Sequence, residues 1–489
     1  MGDITAGGSL NTIPNPTQNT LASNFIDFTA AGNGWAQQYL PDLMEKEAEV
    51  FGNRTISGFL SQVGAEEAMT ADQVVWSEQG RLHLAYTGTI DASASQVTLT
   101  GHAGTNAAYT ENEHGLRLGD TCIVASPTVT YVGRVTADDG SDVITILPYA
   151  DAHADDAAIG MGDEAVTVLK YGSEWAKGSD TPYTSANEPS HQSFTNKPVI
   201  IRDMYHVSGS DASAVGWVEV TGEDGGASGY LWYLKAEGET RMRFTDNLEM
   251  TCLEGVMAAA NSTLDTGVNF LISPQATTGT NFGTQGLFDA IKTRGNATSG
   301  VTGGNWATDL ADFDAILAEF DSQGAIEENM MFVNRATALA VDDMLASMNS
   351  YGQGGTSYGV FDNDENMALN LGFSGFRRGS YDFYKSDWKY LNDAGTRGAI
   401  NDRAATDAIR GVIVPAGVSS VYDQQLGKNM KRPFLHVRYR ASATDNRKLK
   451  TWVTGSVGAA TSELDAMRVN YLSERCLITQ GANNFMLMQ

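Results

Sequence analysis

Between Val97 and Leu169 the chain breaks into short β-type runs separated by turn signals: LRLGDTCIVAS, TYVGRVTADDGSDVITILPY and EAVTVLK. The Asp-Gly of ADDGSD suits a tight hairpin, because both residues tolerate the positive φ such turns need. Strand-like sequence stands on either side of this block. Before it, VVWSEQGRLHLAY lies within a strand expected over Gln73–Ile90; after it come NKPVIIRDMYHVSGS and VGWVEVTG. Any fold for this chain must therefore let a small β-barrel or sandwich interrupt a longer element.

The pattern then switches to helical spacing over Ala227–Ala260. Leu231, Leu234, Gly238, Met242, Leu248, Cys252 and Val256 keep roughly to one stripe. A helix of that length is on the order of 50 Å long, and Gly238 offers a place to bend. Further elements follow. A helix over Thr308–Gln323 carries Leu310, Phe313, Leu317 and Phe320 on its apolar face. NMMFVN is a buried strand and TALAVDDMLASMNS a helix. SYDFYKSDWKYL has strand alternation, and GVIVPAG reads as a central strand. FLHVRYRAS, KTWVTGS and YLSERCLITQGANNFMLM make the C-terminal part mostly β. Ahead of everything, Met1–Gly34 is a polar arm, and PDLMEKEAEVF (Pro41–Phe51) reads as a short helix.

Charge and cysteine usage exclude several functions. The 489 residues hold 59 Asp and Glu against 32 Lys and Arg, a net charge of −27. Phosphate contacts need cations, so this balance opposes a general nucleic-acid binder and docking on an anionic membrane. Cys122, Cys252 and Cys476 lie far apart, with no CxxC pair, so neither a zinc site nor a disulfide framework is expected. No signal peptide and no membrane-spanning run is expected.

Sites of chemistry are sparse. P-loop, HExxH, GxSxG and dinucleotide fingerprints are missing, and the seven histidines have no ligand spacing. Asp362, Asp364 and Asn366 resemble the start of a calcium loop, but Met367 stands where glycine and Phe373 where glutamate is needed, which favours a solvated acidic loop. The group Asp151, His153, Asp155 and Asp156 likewise fits a charged loop better than a cation site. No cofactor and no catalytic residue is expected. One basic strip departs from the acidic background: Lys428, Lys431, Arg432, His436, Arg438, Arg440, Arg447, Lys448 and Lys450, interleaved with Phe434, Tyr439 and Trp452. It could stack nucleic-acid bases, but docking on the acidic face of an identical neighbour is the preferred reading.

This order of parts resembles the major capsid protein of tailed bacteriophages, the Hong Kong 97-type fold. The fold class is then α+β, with N-arm, E-loop, spine helix, peripheral and axial domains, plus the inserted β-domain. Mapped onto this chain, the resemblance implies an N-terminal arm and short helix over 1–72, E-loop strands over 73–93 and 172–218, and the insertion over 94–171. The spine-helix region is 219–260, the peripheral domain 261–360 with 435–489, and the axial domain 361–434. Gln73–Ile90 is expected to pair with Pro198–Val207 as the E-loop. The phrases WSEQGRLH, YRASATDNRKLKTW and YLSERCLITQGANNF are similar to capsid proteins of crAss-like podoviruses.

The implied function is self-assembly into hexamers and pentamers of an icosahedral shell. That shell, assembled in the host bacterial cytoplasm, encloses double-stranded DNA without binding it specifically. A portal is the implied partner, with decoration or scaffolding proteins possible and no membrane. Trp76, Glu78, Arg81, Arg202, Arg241, Arg243, Lys431, Arg438 and Arg440 are the expected inter-subunit contacts, with Trp76 as anchor on a neighbouring subunit. Two other classes stay open. One is another virion protein, of decoration or tail type. The other is a β-rich glycan-binding protein or glycoside hydrolase, with Tyr171, Trp175 and Tyr183 as stacking residues.

Overall fold

The computed structural model describes residues 65–79, 85–102, 114–179, 191–210, 219–221, 227–259, 283–302, 306–323, 326–348, 375–401, 407–416, 418–423, 428–457 and 461–489. The expected N-arm, the helix at Pro41–Phe51, Arg81, Tyr183 and the group Asp362, Asp364 and Asn366 lie outside them. The chain divides into two compact units, Trp76–Phe194 and the remainder.

Strands β1 (Ala65–Met69) and β2 (Val74–Gln79) lead into six strands of the smaller unit. These are β3 (Ala85–Asp91), β4 (Gln96–His102), β5 (Asp120–Ala125), β6 (Thr130–Asp138), β7 (Val143–Pro148) and β8 (Ala165–Ser173). They close into a barrel in the order β3-β4-β7-β6-β5-β8. Strict alternation builds its core: Val97 and Leu99, Cys122 and Val124, Ile144 and Ile146, Val166 and Val168 all point inward. Each such aliphatic side chain contributes roughly 1.5–3 kcal/mol on burial. The β6–β7 turn is the expected Asp-Gly hairpin, with Gly140 at φ +80°. A barrel, not a sandwich, resolves the alternative left open by sequence.

The strand expected over Gln73–Ile90 is two strands, not one. β2 pairs with β9 (His191–Asn196), whereas β3 belongs to the barrel. The expected pairing with Pro198–Val207 is corrected as well. That segment is β10 (Val199–Ser208), which runs antiparallel to a C-terminal strand instead.

In the larger unit, β11 (Glu219–Thr221) and β12 (Ala227–Tyr230) form a small ribbon before helix α1 (Leu231–Glu254). The 24-residue helix is roughly 36 Å long, shorter than expected because Ala227–Tyr230 form β12 and the helix ends at Glu254 instead of Ala260. Its buried side is Phe244, Leu248, Cys252 and Leu253; Met242 and Val256, placed on the apolar stripe by sequence, are exposed. The helix runs unbroken through Gly238, and the Gly255 N–H closes it on the Thr251 carbonyl.

The remaining elements are α2 (Leu287–Arg294), β13 (Asn296–Thr298), α3 (Trp306–Gln323), β14 (Glu328–Val333), α4 (Arg335–Met348), β15 (Gly375–Arg378) and β16 (Tyr381–Asp387). There follow α5 (Lys389–Asn392), α6 (Arg397–Asn401), β17 (Gly411–Pro415), the hairpin β18 (Val418–Asp423) and β19 (Lys428–Pro433), β20 (Leu435–Arg440), β21 (Lys450–Gly455), β22 (Ala466–Thr479) and β23 (Met486–Met488). The strand expected over SYDFYKSDWKYL ends at Asp387, and its last residues turn into α5.

A mixed six-stranded sheet runs β13-β23-β17-β14-β16-β15. Both of its faces are covered. Phe332, Val412, Val414 and Leu487 pack with Leu287 and Trp388 on one side. Met331, Val333, Ile413 and Met486 pack with Phe313, Ile316, Phe320 and Val341 on the other. GVIVP sits in the middle, so all five residues are buried. This sheet draws β13, β14 and β23 from the stretches expected as peripheral domain, and β15, β16 and β17 from the expected axial domain.

The second large sheet is five-stranded, in the order β1-β20-β22-β10, with β21 also on β22. Asn196, 1% exposed, ties it to the loop before α2. Its Nδ2 donates to the carbonyls of Gln285 (2.9 Å) and Leu477 (2.6 Å), and its Oδ1 accepts from the Gln285 N–H and the Thr284 hydroxyl. Asn196→Ala leaves several buried backbone groups unpaired, so a loss of about 3 kcal/mol is expected in urea unfolding. A second prediction concerns base. Burial pushes the Tyr131 hydroxyl far above its ordinary value of 10.0; burial and its bond to Glu254 do the same for Tyr390. A raised folded value makes the folded state hold protons that the unfolded state releases. Stability should be full below about pH 10 and fall as pH rises beyond it, with Tyr390→Phe shallowing the fall in an alkaline titration of melting temperature.

Candidate functional site

The densest charge arrangement lies where β1 joins the five-stranded sheet. β1 runs parallel to β20, placing Glu67 opposite Arg438 and Met69 opposite Arg440. Glu67 Oε2 meets Arg438 Nη2 at 2.8 Å. Arg440 contacts Asp72, and its Nη1 is 3.3 Å from Glu474 Oε1. The bond to Asp72 comes first among the causes that raise the Arg440 guanidinium above its ordinary value. Arg447 Nε lies 2.6 Å from Glu474 Oε2. Lys448 reaches Glu66, Lys450 reaches Asp445 at 2.8 Å, and the Lys448 ammonium also stands 5.4 Å from the Tyr439 ring centre.

Within the basic strip seen in the sequence, Arg438, Arg440, Arg447, Lys448 and Lys450 each have a carboxylate of their own chain within reach. The physical reason is proximity: a parallel strand brings Glu66 and Glu67 within reach, and the short run after it brings Asp72. His436 is 1% exposed and shares a hydrogen bond between Nδ1 and the Pro433 carbonyl (3.2 Å). Only a protonated Nδ1 can donate to a carbonyl, so this histidine is a packing residue with a fixed tautomer. Lys431 lies in the β18–β19 hairpin, opposite Ser420, with its side chain outside the described residues.

The other expected contacts are scattered. Trp76 is 8% exposed within the smaller unit. Its Nε1 donates to Glu78 Oε1 at 3.0 Å, and its ring lies 6.1 Å from that of Phe194 on β9. Trp76 is thus largely buried within its own chain. Arg241 and Arg243 are both exposed on α1, and Arg243 Nη2 donates to Thr240 Oγ1 at 3.4 Å. Arg202 is exposed on β10. Among the described residues the structure brings Arg438 and Arg440 together at the β1 site, and Trp76 onto Glu78 within β2.

No catalytic constellation accompanies these residues. An open groove of about 460 Å³ beside β1 is lined by Met69, Thr70, Gln73, Val75 and Arg438, without a nucleophile and base in company. Among the described residues no group of three or more His, Cys, Asp or Glu side chains could hold a metal ion. In the loop Asp151–Asp156 the carboxylates bind backbone instead: Asp151 accepts from the Ala152 and Ala158 N–H groups, Asp156 from that of His153. Trp175, a stacking residue in the glycan reading, lies on Gly119, where a Cβ would stand 2.8 Å from its ring. Among the described residues no helix is long and apolar enough to cross a membrane.

No family model matches the chain, and no curated protein matches it. Solved structures similar to it include a capsid chain of the native GTA particle, 10% identical, covering 96% of this chain and 99% of that one, with a TM-score of 0.38. A chain of Microbacterium phage Oxtober96 is 10% identical over 92% of this chain and 95% of its own, with a TM-score of 0.36. A chain from the asymmetric unit of the bacteriophage PhiM1 mature capsid is 10% identical over 65% and 79%, with a TM-score of 0.32. TM-scores this low do not establish a shared fold.

Glu474 is the acid most committed to the β1 site, 8% exposed at its side chain and shared by two arginines. Glu474→Gln should cost about 3 kcal/mol in denaturant unfolding, because two partly buried guanidinium groups lose their counter-charge. Asp72→Asn, at an 87% exposed side chain, should change stability by less than about 1 kcal/mol.

Proposed function

We propose that this chain is a major capsid protein of the Hong Kong 97 type, assembling with copies of itself into hexamers and pentamers of an icosahedral shell around double-stranded DNA. The observation that carries the reading is the order of parts. A β excursion leaves at β2, carries a closed barrel, and returns at β9; one long helix follows, then a mixed sheet covered on both faces. An enzyme of this size needs a site where acid, base and nucleophile converge, and the described residues gather none. The similarity to crAss-like podovirus capsids rests on three phrases of sequence alone.

Charge supports the same role. A container for packed DNA works best when its walls do not grip the polymer, and a chain of net charge −27 repels phosphate. Its cations at the β1 site are neutralised by its own carboxylates. Arg81, Arg202, Arg241, Arg243 and Lys431 are the cations we assign to contacts between copies, together with Glu78. A portal closes one vertex, and decoration or scaffolding proteins are further partners in this reading. Assembly takes place in the cytoplasm of the host bacterium.

Electron microscopy of the purified chain tests the proposal. Closed shells or capsomers are expected, together with DNA binding weaker than micromolar at physiological salt. A monodisperse monomer under every condition, or cleavage of a polysaccharide, would sink it.

A further inference from the structure

The closed barrel has an outer wall as well as a core. Alternation sends Leu169 and Tyr171 of β8, Ile123 of β5 and Val132 of β6 outward. Register sets Leu169, Ile123 and Val132 in one cross-strand row, and at its end the Tyr149 N–H donates to the Val132 carbonyl (3.1 Å). Among the described residues three tyrosines are more than half exposed, and two of them, Tyr149 and Tyr171, stand on this wall. Leu169 and Val132 beside them are 42% and 41% exposed.

Both rings are held in place. Thr121 pairs with Gly172 and Cys122 with Lys170, so Tyr171 sits in a β-bulge with no residue opposite it. A bulge re-aims the side chain it carries. The Tyr149 hydroxyl donates to Glu174 Oε2 at 2.5 Å, bridging the wall from the end of β7 to the end of β8. That bond comes first among the causes that push this hydroxyl up to about 12, and Arg134 nearby opposes the rise. With its hydroxyl engaged, what Tyr149 presents to solvent is its ring.

Polar groups edge these rings. Glu174 is exposed and keeps lone pairs beyond the one given to Tyr149. Arg134, opposite Thr121 on β6, is half-buried and forms no ion pair among the described residues. Aromatic faces beside an acceptor and a donor match a neutral sugar, whose C–H faces lie on rings and whose hydroxyls both give and take hydrogen bonds. A protein partner fits less well, because the cores of protein contacts are depleted of charge. Nucleic acid and acidic glycans are repelled, since Trp76–Phe194 holds sixteen acidic residues against five basic ones.

We propose that the outer wall of the barrel binds a neutral oligosaccharide, with Tyr149 and Tyr171 as stacking faces and Glu174 and Arg134 as hydrogen-bonding groups. The site binds without cleaving, because Glu174 has no second carboxylate placed with it for glycosidic hydrolysis among the described residues. This inference goes beyond the shell reading and does not depend on it.

Isothermal titration calorimetry of the full chain tests it, with neutral hexasaccharides of glucose, xylose, mannose and N-acetylglucosamine as probes and hexagalacturonate as the acidic control. At least one neutral sugar should bind with a Kd of roughly 1 mM or tighter, and hexagalacturonate should not. Tyr171→Ala should weaken that binding about tenfold. Tyr149→Phe, which keeps the ring but releases Glu174, should weaken it about threefold. Tyr384→Ala, at the equally exposed tyrosine of the larger unit, should leave it unchanged, and unchanged melting temperatures show that the variants fold. No binding of any of the four neutral sugars, equal binding of hexagalacturonate, or binding insensitive to Tyr171→Ala overturns the proposal. Particle formation is read separately, so none of these outcomes touches the shell reading.

Discussion

The larger unit is organised by one strand. β22 is 14 residues long and pairs with β10, β21 and β20 in turn, so three separate stretches of chain share its hydrogen bonds. Its buried residues serve two cores: Val469 and Tyr471 hold α1, and Leu477 enters the cluster with Phe332, Val412 and Leu487. The bond from Asn196 to the Leu477 carbonyl secures the returning strand to it at a point without water. A backbone group in such a place must find a partner within the protein. The pairing of β22 therefore dictates where β10, β20 and the end of α1 stand.

Edges follow from that arrangement. The barrel closes on itself and so presents no unpaired strand, while the sheet built on β22 ends in β1 and β10. The β1 end is guarded by charge: Glu66, Glu67 and Asp72 are each engaged with a cation of β20 or the following segments. Exposed pairs of this kind add little singly, but those around Glu474 are shielded from solvent and tie β22 to Arg440 and Arg447. At the β10 end Arg468 Nε and His206 Nε2 are buried without a hydrogen-bond partner.

What was legible in the sequence was local. GVIVPAG announced a central strand because five consecutive buried residues leave no polar alternation, and the Asp-Gly of ADDGSD announced its hairpin through backbone chemistry confined to a few residues. The apolar face Phe313, Phe320 likewise survived. What failed was pairing over distance. Nothing near Pro198–Val207 reveals that its partner is 466–475, and nothing in the basic strip reveals Glu66 and Glu67, which precede it by more than 360 residues. The run Gln73–Ile90 kept strand-like alternation through the place where one sheet ends and another begins. On α1 the expected stripe held Leu248 and Cys252, which are buried, but left out Phe244, which packs on the sheet, and included Met242, which is exposed.

Particle mass is the most direct test of the role assigned to this chain. Charge-detection mass spectrometry of the purified full-length protein, across concentration and salt, should find capsomers and closed particles built from many copies, disassembling as salt screens their contacts. A single-chain mass at every concentration and salt would contradict the shell reading.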